Sequence, residues 1–216
     1  MLVAKGLRRF YGRWQRKYVL VGPRVRTPVR AVTDVDFEVG AGRTLGIVGE
    51  SGCGKTTVAR VVVGLVPQDR GEIRLRDEEL ARRVGDRTRE QRAALRMVFQ
   101  NPTASLNPKL PTRHAILRSL RKFARLDRQD SRERAVELMH AVGLGPAYLD
   151  RHPGELSGGE QQRVALASAF AANPALIVAD EAVSALDVSV QAQVLNLLRE
   201  HQEENGTSFI FISHDL

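Results

Sequence analysis

The chain has 216 residues, 43% of them hydrophobic, which is enough to form one globular unit with a packed core. No apolar run is long enough to cross a bilayer, the N-terminus lacks the long apolar segment of a secretory signal, and a single cysteine excludes an internal disulfide. We therefore expect a soluble or peripheral protein of a reducing compartment.

The net charge of +8 is unevenly distributed along the sequence. Residues 1–30 contain nine Lys or Arg and no acidic residue, whereas the remaining residues contain 24 basic and 25 acidic side chains. The simpler interpretation is a solvated strand-and-loop edge. The alternative is an arm that contacts anionic lipid, nucleic acid or the phosphates of a nucleotide.

Residues 1–48 are predicted to form strands joined by turns. Residues 35–39 alternate apolar with acidic side chains, as in a half-exposed strand. The glycine-rich turn at 40–42 then leads into an apolar strand at 45–48.

The stretch that follows this strand has the composition of a phosphate-binding loop, Gly49-Glu50-Ser51-Gly52-Cys53-Gly54-Lys55-Thr56-Thr57. Glycines let successive backbone N–H groups turn toward phosphate oxygens, and the helix predicted over residues 55–66 adds unpaired donors and the positive end of its dipole. Lys55 is then suited to the β- and γ-phosphates, and the Thr56 hydroxyl to Mg²⁺. The alternative is a flexible glycine turn, which the order strand, loop, helix disfavours.

Residues 67–111 are predicted to contain two short strands and their connections. A turn at 67–71 precedes a strand at 72–75, and the charged residues 76–96 indicate a surface loop with a short helix. Residues 96–100 form the next predicted strand. Three prolines within 101–111 indicate an ordered loop rather than a helix.

The period becomes helical between residues 114 and 142. Apolar side chains recur at helical spacing from Ile116 to Phe123. Asp130 or Ser131 is predicted to cap a second helix, which Gly143 would end. This block interrupts an alternation of strands and helices, so we predict an inserted helical subdomain.

Another helix opens at Leu156-Ser157-Gly158-Gly159-Glu160. Its unpaired backbone N–H groups and the Ser157 hydroxyl are suited to binding an anion. Taken alone, this pattern is better explained as the start of a simple capped helix.

The apolar run at 175–179 predicts a strand buried on both faces of a parallel sheet, and it ends in Asp180 and Glu181. Open α/β sheets bind ligands at this end of their strands. Asp180 is suited to holding Mg²⁺ and Glu181 to polarising an attacking water, the alternative being a solvated acidic turn. A second buried strand, predicted beside the first, ends in His214. This placement favours a contact with a γ-phosphate, the alternative being an exposed histidine without a role.

The order of these motifs resembles the nucleotide-binding subunits of ATP-binding cassette (ABC) transporters, over the whole chain. The resemblance rests on the phosphate loop (Walker A), a glutamine loop at Gln100, a signature at 156–161, the Asp180-Glu181 pair, a turn at Asp187 and a switch residue, His214. It implies an α/β fold, with a P-loop NTPase core of mainly parallel sheet, an N-terminal antiparallel β subdomain and an inserted helical subdomain. The implied organisation is a single nucleotide-binding domain, with a catalytic core at about 1–100 and 156–216 and the helical subdomain at about 101–155.

The resemblance assigns roles to individual residues. The catalytic residues would be Glu181, His214 and Gln100, and the Mg²⁺ ligands Thr56, Gln100 and Asp180. The nucleotide would be bound by Tyr11, Gly49, Glu50, Ser51, Gly52, Cys53, Gly54, Lys55, Thr56, Thr57, Ser157, Gly158, Gly159 and Asp187. Tyr11 corresponds to the aromatic residue that stacks on adenine, with Phe10 and Tyr18 as alternatives. Ser157 and Gly159 would act on the nucleotide of a second subunit, which Gly158 would allow to approach closely.

Several phrases, among them those at 46–55, 98–102, 104–108 and 183–198, resemble the peptide-importer branch of the family. This implies an ATP-hydrolysing subunit at the cytoplasmic face of the cell membrane, with ATP and Mg²⁺ as cofactors. The implied partners are transmembrane permease subunits, a second ATPase subunit in a homo- or heterodimer and, indirectly, an extracytoplasmic peptide-binding protein. ATP would close the dimer and hydrolysis reopen it, with Gln100 relaying the closure through the proline-rich loop.

The sequence also departs from the family pattern. Ala182 stands where this branch commonly has proline, and Glu160 where many members have glutamine. The chain stops two residues after His214, so we expect it to lack the C-terminal extension of the family. The alternative functions are therefore a nucleotide-binding fragment without turnover and an ABC ATPase that acts on nucleic acid. A nucleic-acid partner is not expected, because paired cassettes, a long coiled coil or a metal cluster usually mark that class.

Overall fold

Two β-sheets organise the chain. The computed structural model describes residues 1–16, 24–102, 105–183 and 186–213. One sheet contains strands β1 (Leu2–Arg16), β2 (Arg24–Val39), β4 (Arg70–Leu75) and β5 (Glu78–Glu79), in the order β2-β1-β4-β5. The other contains β3 (Thr44–Val48), β6 (Leu95–Val98), β7 (Leu176–Asp180) and β8 (Ser208–Ser213), in the order β3-β8-β7-β6. The first sheet belongs to a unit of residues 1–38 and 49–87, and the second to a unit of residues 39–48 and 88 onward.

The helices are α1 (Lys55–Val62), α2 (Arg89–Ala94), α3 (Arg113–Ser119), α4 (Arg128–Ala141), α5 (Gly158–Phe170) and α6 (Val188–Asn205). Helix α3 continues into a π-helical turn at Leu120–Ala124, and 3₁₀ turns lie at Val84–Asp86, Pro146–Asp150 and Pro153–Glu155. Among the described residues, no helix combines the length and the apolar character needed to span a membrane.

The first unit is built on the antiparallel sheet. Leu2 of β1 pairs with Leu75 of β4, and Ala4 pairs with Ile73. These side chains are buried and form the centre of the unit, because alternate residues of a strand face the same side. At an exposed position, Arg8 forms an ion pair with Asp34 of β2, which raises the pKa of the guanidinium through the hydrogen bond first and the charge second. The predicted N-terminal antiparallel subdomain is confirmed.

The second unit is built on the parallel sheet. All five residues of β7 are buried, which confirms the strand predicted from its continuous apolar run. Strand β8 lies between β3 and β7 and pairs in parallel with both, as predicted for two neighbouring strands. The carboxyl ends of the strands therefore lie at one edge, with Val48 opposite Ser213 and Asp180 opposite Ile212.

Helices α3, α4 and α5 share one apolar core with the parallel sheet. Ile116, Leu120, Met139 and Leu166 lie in this core and are almost completely buried. Gly143 follows α4 with a φ of 68°, the left-handed conformation that ends many helices, and it confirms the predicted stop. The predicted α/β fold class with a helical insertion is correct.

Two helix boundaries differ from the prediction. The cap of α4 is Asp127, whose carboxylate accepts from the backbone N–H groups of Gln129 and Asp130 at 2.8 and 2.9 Å, so neither Asp130 nor Ser131 is the cap. Helix α1 ends at Val62 rather than at residue 66. Gly64 has a φ of 78°, and a Cβ there would lie 2.8 Å from the backbone nitrogen of Val84, so the chain leaves the helix at this glycine.

Candidate functional site

The glycine-rich loop that precedes α1 surrounds its own lysine. The Lys55 ammonium donates to the carbonyl oxygens of Gly49 and Glu50 at 2.5 and 2.9 Å, and its side chain is buried. Gly54 has a φ of 106°, and a Cβ at this position would lie 2.1 Å from the carbonyl oxygen of Ala31. Only glycine fits there, and the loop holds a positive charge at the N-terminus of a helix, which is the positive end of the helix dipole.

The remaining predicted residues of the loop lie around this lysine. The backbone N–H of Cys53 donates to the Glu50 carbonyl at 3.3 Å, which closes a turn, and the Cys53 thiol is free and exposed. Thr56 and Thr57 are in the first turn of α1, and both are partly buried. The sequence therefore folds into the strand, loop and helix order that phosphate binding requires.

A second group of predicted residues meets at the carboxyl edge of the parallel sheet. Asp180 ends β7 and is buried, with 5% of its surface exposed. Glu181 follows with a φ of 48°, and its backbone N–H donates to the carbonyl oxygen of Ile212 at 3.0 Å. The Gln100 side-chain amide donates to Glu181 Oε2 at 2.7 Å. The structure therefore joins Gln100 and Glu181, which are 81 positions apart in the sequence.

The third group is the N-terminus of α5. Ser157 caps the helix, since its hydroxyl accepts from the Glu160 N–H at 3.3 Å and the Glu160 carboxylate accepts from the Ser157 N–H at 2.8 Å. The Tyr148 hydroxyl also donates to Glu160, at 2.7 Å. The hydrogen bond from Tyr148, followed by the one from the Ser157 backbone, lowers the pKa of Glu160. An ionised carboxylate therefore stays at this helix end.

The two signature glycines have different surroundings. A Cβ at Gly159 would lie 2.7 Å from Val190 Cγ1, so α6 packs against this position. A Cβ at Gly158 would have no described atom within 4 Å. Packing within the described chain therefore requires a glycine at 159 but not at 158.

Sequence reasoning missed two positioning residues. Tyr148 was outside every motif, and no pattern links a 3₁₀ turn with the helix that follows it. Gln162 is buried with 1% of its surface exposed, and its amide donates to the Phe99 carbonyl at 3.5 Å, directly before Gln100. The sequence does contain a signal that Gln162 is buried. Gln162 precedes the apolar Leu166 by four positions, so the two side chains lie on the same face of the helix.

Tyr11 and Asp187, which are also predicted to bind the nucleotide, have fewer described contacts with the rest of the chain. Tyr11 is 39% exposed, and the Arg9 guanidinium lies 4.8 Å from the centroid of its ring. Asp187 is exposed at the N-cap position of α6, and its side chain makes no capping hydrogen bond with that described helix. His214 and Tyr18 lie outside the described residues.

The predicted Mg²⁺ ligands fit the ion by their chemistry. Thr56, Gln100 and Asp180 offer hydroxyl, amide and carboxylate oxygens, the hard donors that Mg²⁺ prefers. The Gln100 amide nitrogen is bound to Glu181, which leaves its amide oxygen as the group suited to a cation. Among the described residues, no set of three His, Cys, Asp or Glu side chains is grouped as a metal cluster.

Comparisons with known proteins identify the family and the fold of the chain. The family described as "ABC transporter" matches residues 32–184. The "Probable peptide ABC transporter ATP-binding protein y4tS" of Sinorhizobium fredii is 48% identical over 188 residues, which are 87% of this chain and 53% of that protein. The "Oligopeptide transport ATP-binding protein OppF" of Salmonella typhimurium is 47% identical over 189 residues, which are 87% of this chain and 57% of that protein. The chain thus spans somewhat more than half the length of these relatives.

A solved structure of the ATP-binding cassette MJ0796, described as a dimeric post-hydrolysis state bound to ADP and Pi, has a TM-score of 0.81 and 27% sequence identity. The similarity covers 100% of this chain and 88% of that one. The two sheets and the helices between their strands therefore form an ATP-binding cassette fold. Because the family match extends over most of the sequence, the chain belongs to the ABC transporter family.

Proposed function

We propose that this chain is the ATP-binding and ATP-hydrolysing subunit of an ABC importer for peptides, and that nucleotide-driven dimer closure powers transport. The observation that carries the proposal is the hydrogen bond from Gln100 to Glu181 at the carboxyl edge of the parallel sheet. Strand β3 of this sheet ends at Val48, one residue before the phosphate loop begins. Strand β7, which ends at Asp180, is separated from β3 by one strand.

The nucleotide is bound through its phosphates. Backbone N–H groups of the loop at 49–57 donate to phosphate oxygens, and the Lys55 ammonium neutralises the charge of the β- and γ-phosphates. To do so it exchanges its two carbonyl partners, Gly49 and Glu50, for phosphate oxygens, which are stronger acceptors for a cation. Tyr11 stacks on adenine with the ring face that Arg9 does not cover.

Hydrolysis depends on Glu181. Its carboxylate accepts a proton from the attacking water, and the hydrogen bond from Gln100 fixes one of its oxygens. Thr56, Gln100 and Asp180 would hold Mg²⁺, which would neutralise charge that develops on the phosphate oxygens. His214 contacts the γ-phosphate and reports its loss.

The second subunit completes the site. The N-terminus of α5 faces the nucleotide held by the other subunit through Ser157, Gly158 and Gly159. Asp187 faces the same nucleotide. The open surroundings of Gly158 support this arrangement, because the absence of a side chain there serves close approach from outside the chain. The γ-phosphate supplies contacts in the closed dimer only, so hydrolysis favours opening.

The names of the relatives support the transport role. Both curated proteins carry peptide or oligopeptide transport in their names. We therefore assign transmembrane permeases as partners, a peripheral position at the cytoplasmic face of the membrane, and an indirect relation to a peptide-binding protein. The proline-rich loop after Gln100 relays closure to the permeases.

The substitution Glu181→Gln tests the proposal directly. ATP affinity should change less than about threefold, while hydrolysis should fall by about 10²–10⁴, because the amide keeps the shape but cannot take a proton. A dimer should accumulate with ATP, as measured by size-exclusion chromatography beside a phosphate-release assay. The matched control is Glu203→Gln on α6, where the carboxylate is exposed and pairs only with Arg199 among the contacts described. Wild-type hydrolysis by the Glu181→Gln protein would exclude the catalytic role.

A further inference from the structure

A small cationic cavity lies in the second unit, outside the residues assigned to the nucleotide. Its volume is about 230 Å³. Three basic side chains and three serines contribute to its lining, namely Arg96, Arg118, Lys122, Ser105, Ser119 and Ser168. No acidic side chain among the described residues lines it. Its positive charge therefore lacks an obvious internal counter-ion.

Arg96 is the most constrained of these cations. One terminal nitrogen of its guanidinium donates to the Ser119 hydroxyl at 3.2 Å, and the group lies 4.7 Å from the centroid of the Phe123 ring. Its Nε is buried and has no hydrogen-bond partner in the described part of the chain. Burial lowers the pKa of Arg96, and the nearby charge of Arg118 lowers it further. A partly buried guanidinium with a buried Nε of this kind is costly unless an anion compensates its charge.

The other two cations converge on the same place. The Lys122 ammonium lies 5.5 Å from the centroid of the Phe123 ring, the ring that Arg96 also contacts. Arg118 precedes Lys122 by four positions along a helical segment, which brings the two side chains to one face. Like charges at this spacing repel each other. A bound anion would attract both side chains and so offset the repulsion between them.

We propose that the cavity formed by Arg96, Arg118 and Lys122 binds a phosphate-type oxyanion, either free inorganic phosphate or the phosphate of a lipid headgroup. The planar guanidinium groups match a tetrahedral oxyanion through paired hydrogen bonds, and a doubly charged anion suits a cluster of three cations. Ser105 and Ser119 add hydroxyl groups within the same cavity. A volume of about 230 Å³ suits a phosphate group with some water rather than a whole nucleotide.

The surroundings favour the entry of an anion. The cavity shares Ser105, Arg118 and Lys122 with an open groove of about 780 Å³, which is also lined by Arg121 and Arg128. Residues 88–135 contain twelve Lys or Arg against four acidic residues. A groove lined by one sign of charge concentrates counter-ions at its surface. Residues 31–216 as a whole contain 24 basic and 25 acidic side chains, so their overall charge does not reveal the positive excess of residues 88–135.

Calorimetric titration with inorganic phosphate at constant ionic strength tests the proposal. The titration uses the full chain carrying Lys55→Ala, so that the phosphate loop does not compete for the same anion. The test variant adds Arg118→Gln and Lys122→Gln, both at exposed positions, and the matched control adds Arg121→Gln, which lines the groove but not the cavity. A third protein carries Arg96→Gln, with circular dichroism to check its fold.

We expect one saturable phosphate site in the Lys55→Ala protein. The double substitution should weaken it at least about tenfold, because each charge-assisted hydrogen bond contributes about that much, and the control should change it less than about twofold. The absence of saturable binding would overturn the proposal. An equal effect of Arg121→Gln would also overturn it, since the groove would then bind anions only through its overall charge.

Vesicles distinguish the two sources of the phosphate group. If a lipid headgroup is bound, the protein should sediment with phosphatidic acid vesicles but not with phosphatidylcholine vesicles, and inorganic phosphate should release it. If free phosphate is bound, calorimetry should detect the saturable phosphate site, while the fraction of protein that sediments should be the same with both kinds of vesicle. Sedimentation that survives Arg118→Gln with Lys122→Gln, combined with no calorimetric site, would contradict both.

Discussion

Glu181 shows how a single backbone conformation separates two neighbouring carboxylates. Its φ of 48° is rare for a residue with a side chain, and such strain is concentrated at functional sites. The chain therefore turns sharply after β7, so that Asp180 remains buried while Glu181 is partly exposed and reaches Gln100. Two residues that are adjacent in the sequence thus have different surroundings, which suits one to holding a cation and the other to accepting a proton.

The residue scale also separates a structural glycine, Gly54, from Gly158, for which packing gives no such reason. Gly54→Ala should lower the free energy of unfolding by at least about 2 kcal/mol, because the added Cβ meets the Ala31 carbonyl and the φ of 106° disfavours alanine. Gly158→Ala should change it by less than about 0.5 kcal/mol, since that Cβ has open space, yet should abolish ATP-dependent dimerisation. Urea denaturation measures both. Equal stability of the two variants would contradict the assignment.

Tyr148→Phe should destabilise the protein in a pH-dependent way. The hydrogen bond from Tyr148 is the largest cause of the lowered pKa of Glu160. A carboxyl group whose pKa is lowered by folding contributes stability above its unfolded pKa of about 4.3 and loses it as the pH falls through the folded value. The urea midpoint of Tyr148→Phe should therefore lie below that of wild type at pH 7, and the difference should shrink below about pH 4.

The double variant with Glu160→Gln is the control for this prediction. The effects of Tyr148→Phe and Glu160→Gln should not add, because the first removes the donor and the second the charge of the same charge-assisted hydrogen bond. The backbone carbonyl of residue 148 still accepts from Thr112, so the turn itself is retained. A constant difference between wild type and Tyr148→Phe from pH 3 to pH 7 would show that the hydroxyl acts independently of Glu160.

At the scale of elements, α5 combines a structural and a proposed binding role in one residue. Ser157 belongs to a capping box with Glu160, which satisfies backbone N–H groups at the helix start. The same serine is proposed to contact the nucleotide of a second subunit. Loss of activity after its removal would therefore be ambiguous unless stability is measured separately.

Two substitutions of Ser157 separate these roles. Ser157→Ala should lower the free energy of unfolding by about 1 kcal/mol, because alanine cannot cap. It should also abolish hydrolysis, because the proposed contact of the serine hydroxyl with the nucleotide is lost. Ser157→Asn should keep the stability within about 0.5 kcal/mol, since asparagine caps equally well, and should still abolish hydrolysis through its different shape. Chemical denaturation and phosphate release measure the two effects. Wild-type turnover in Ser157→Asn would leave only the capping role.

The elements also show what the sequence can predict. The run at 175–179 identified β7 because a strand covered on both faces is apolar throughout. Asp127, Asp130 and Ser131 are all good caps, so the sequence alone could not select Asp127. Ser131 is instead buried, and its hydroxyl donates to the Leu126 carbonyl at 3.4 Å. The early end of α1 was detectable from Gly64, whereas the contact with Val84 that enforces it was not.

At the scale of the molecule, motif order was sufficient for the fold class but not for the contacts between motifs. Gln100 and Glu181 were each identified from a strand end, and the parallel pairing of β6 with β7 brings those ends together. Tyr148 and Gln162 were missed because their partners are defined by tertiary packing rather than by spacing. The cationic cavity was missed for the same reason, since Arg96 comes from a strand while Arg118 and Lys122 come from a helical segment.

The proposed convergence of Lys55 and Asp180 on one triphosphate is a property of the whole molecule, and the exposed Cys53 thiol can report it. Mg-ATP should slow alkylation of Cys53 by covering the loop. In Asp180→Asn the Mg-ATP concentration for half-protection should rise at least about tenfold, whereas ATP without Mg²⁺ should protect equally in both proteins. Mass spectrometry of labelled peptides measures the rates.

Asp86→Asn serves as the control, because its carboxylate is exposed in a 3₁₀ turn. It should not change the protection of Cys53. Identical protection curves for wild type and Asp180→Asn would mean that the carboxylate at the end of β7 acts on something other than the nucleotide in the loop.

The central place of β8 has a consequence for synthesis on the ribosome. This strand separates β3 from β7, although it follows both in the sequence. Until residues 208–213 emerge from the exit tunnel, the facing edges of those two earlier strands have nothing to pair with. Both earlier strands are therefore translated before the strand that joins them, and we expect their facing edges to favour aggregation until β8 is in place.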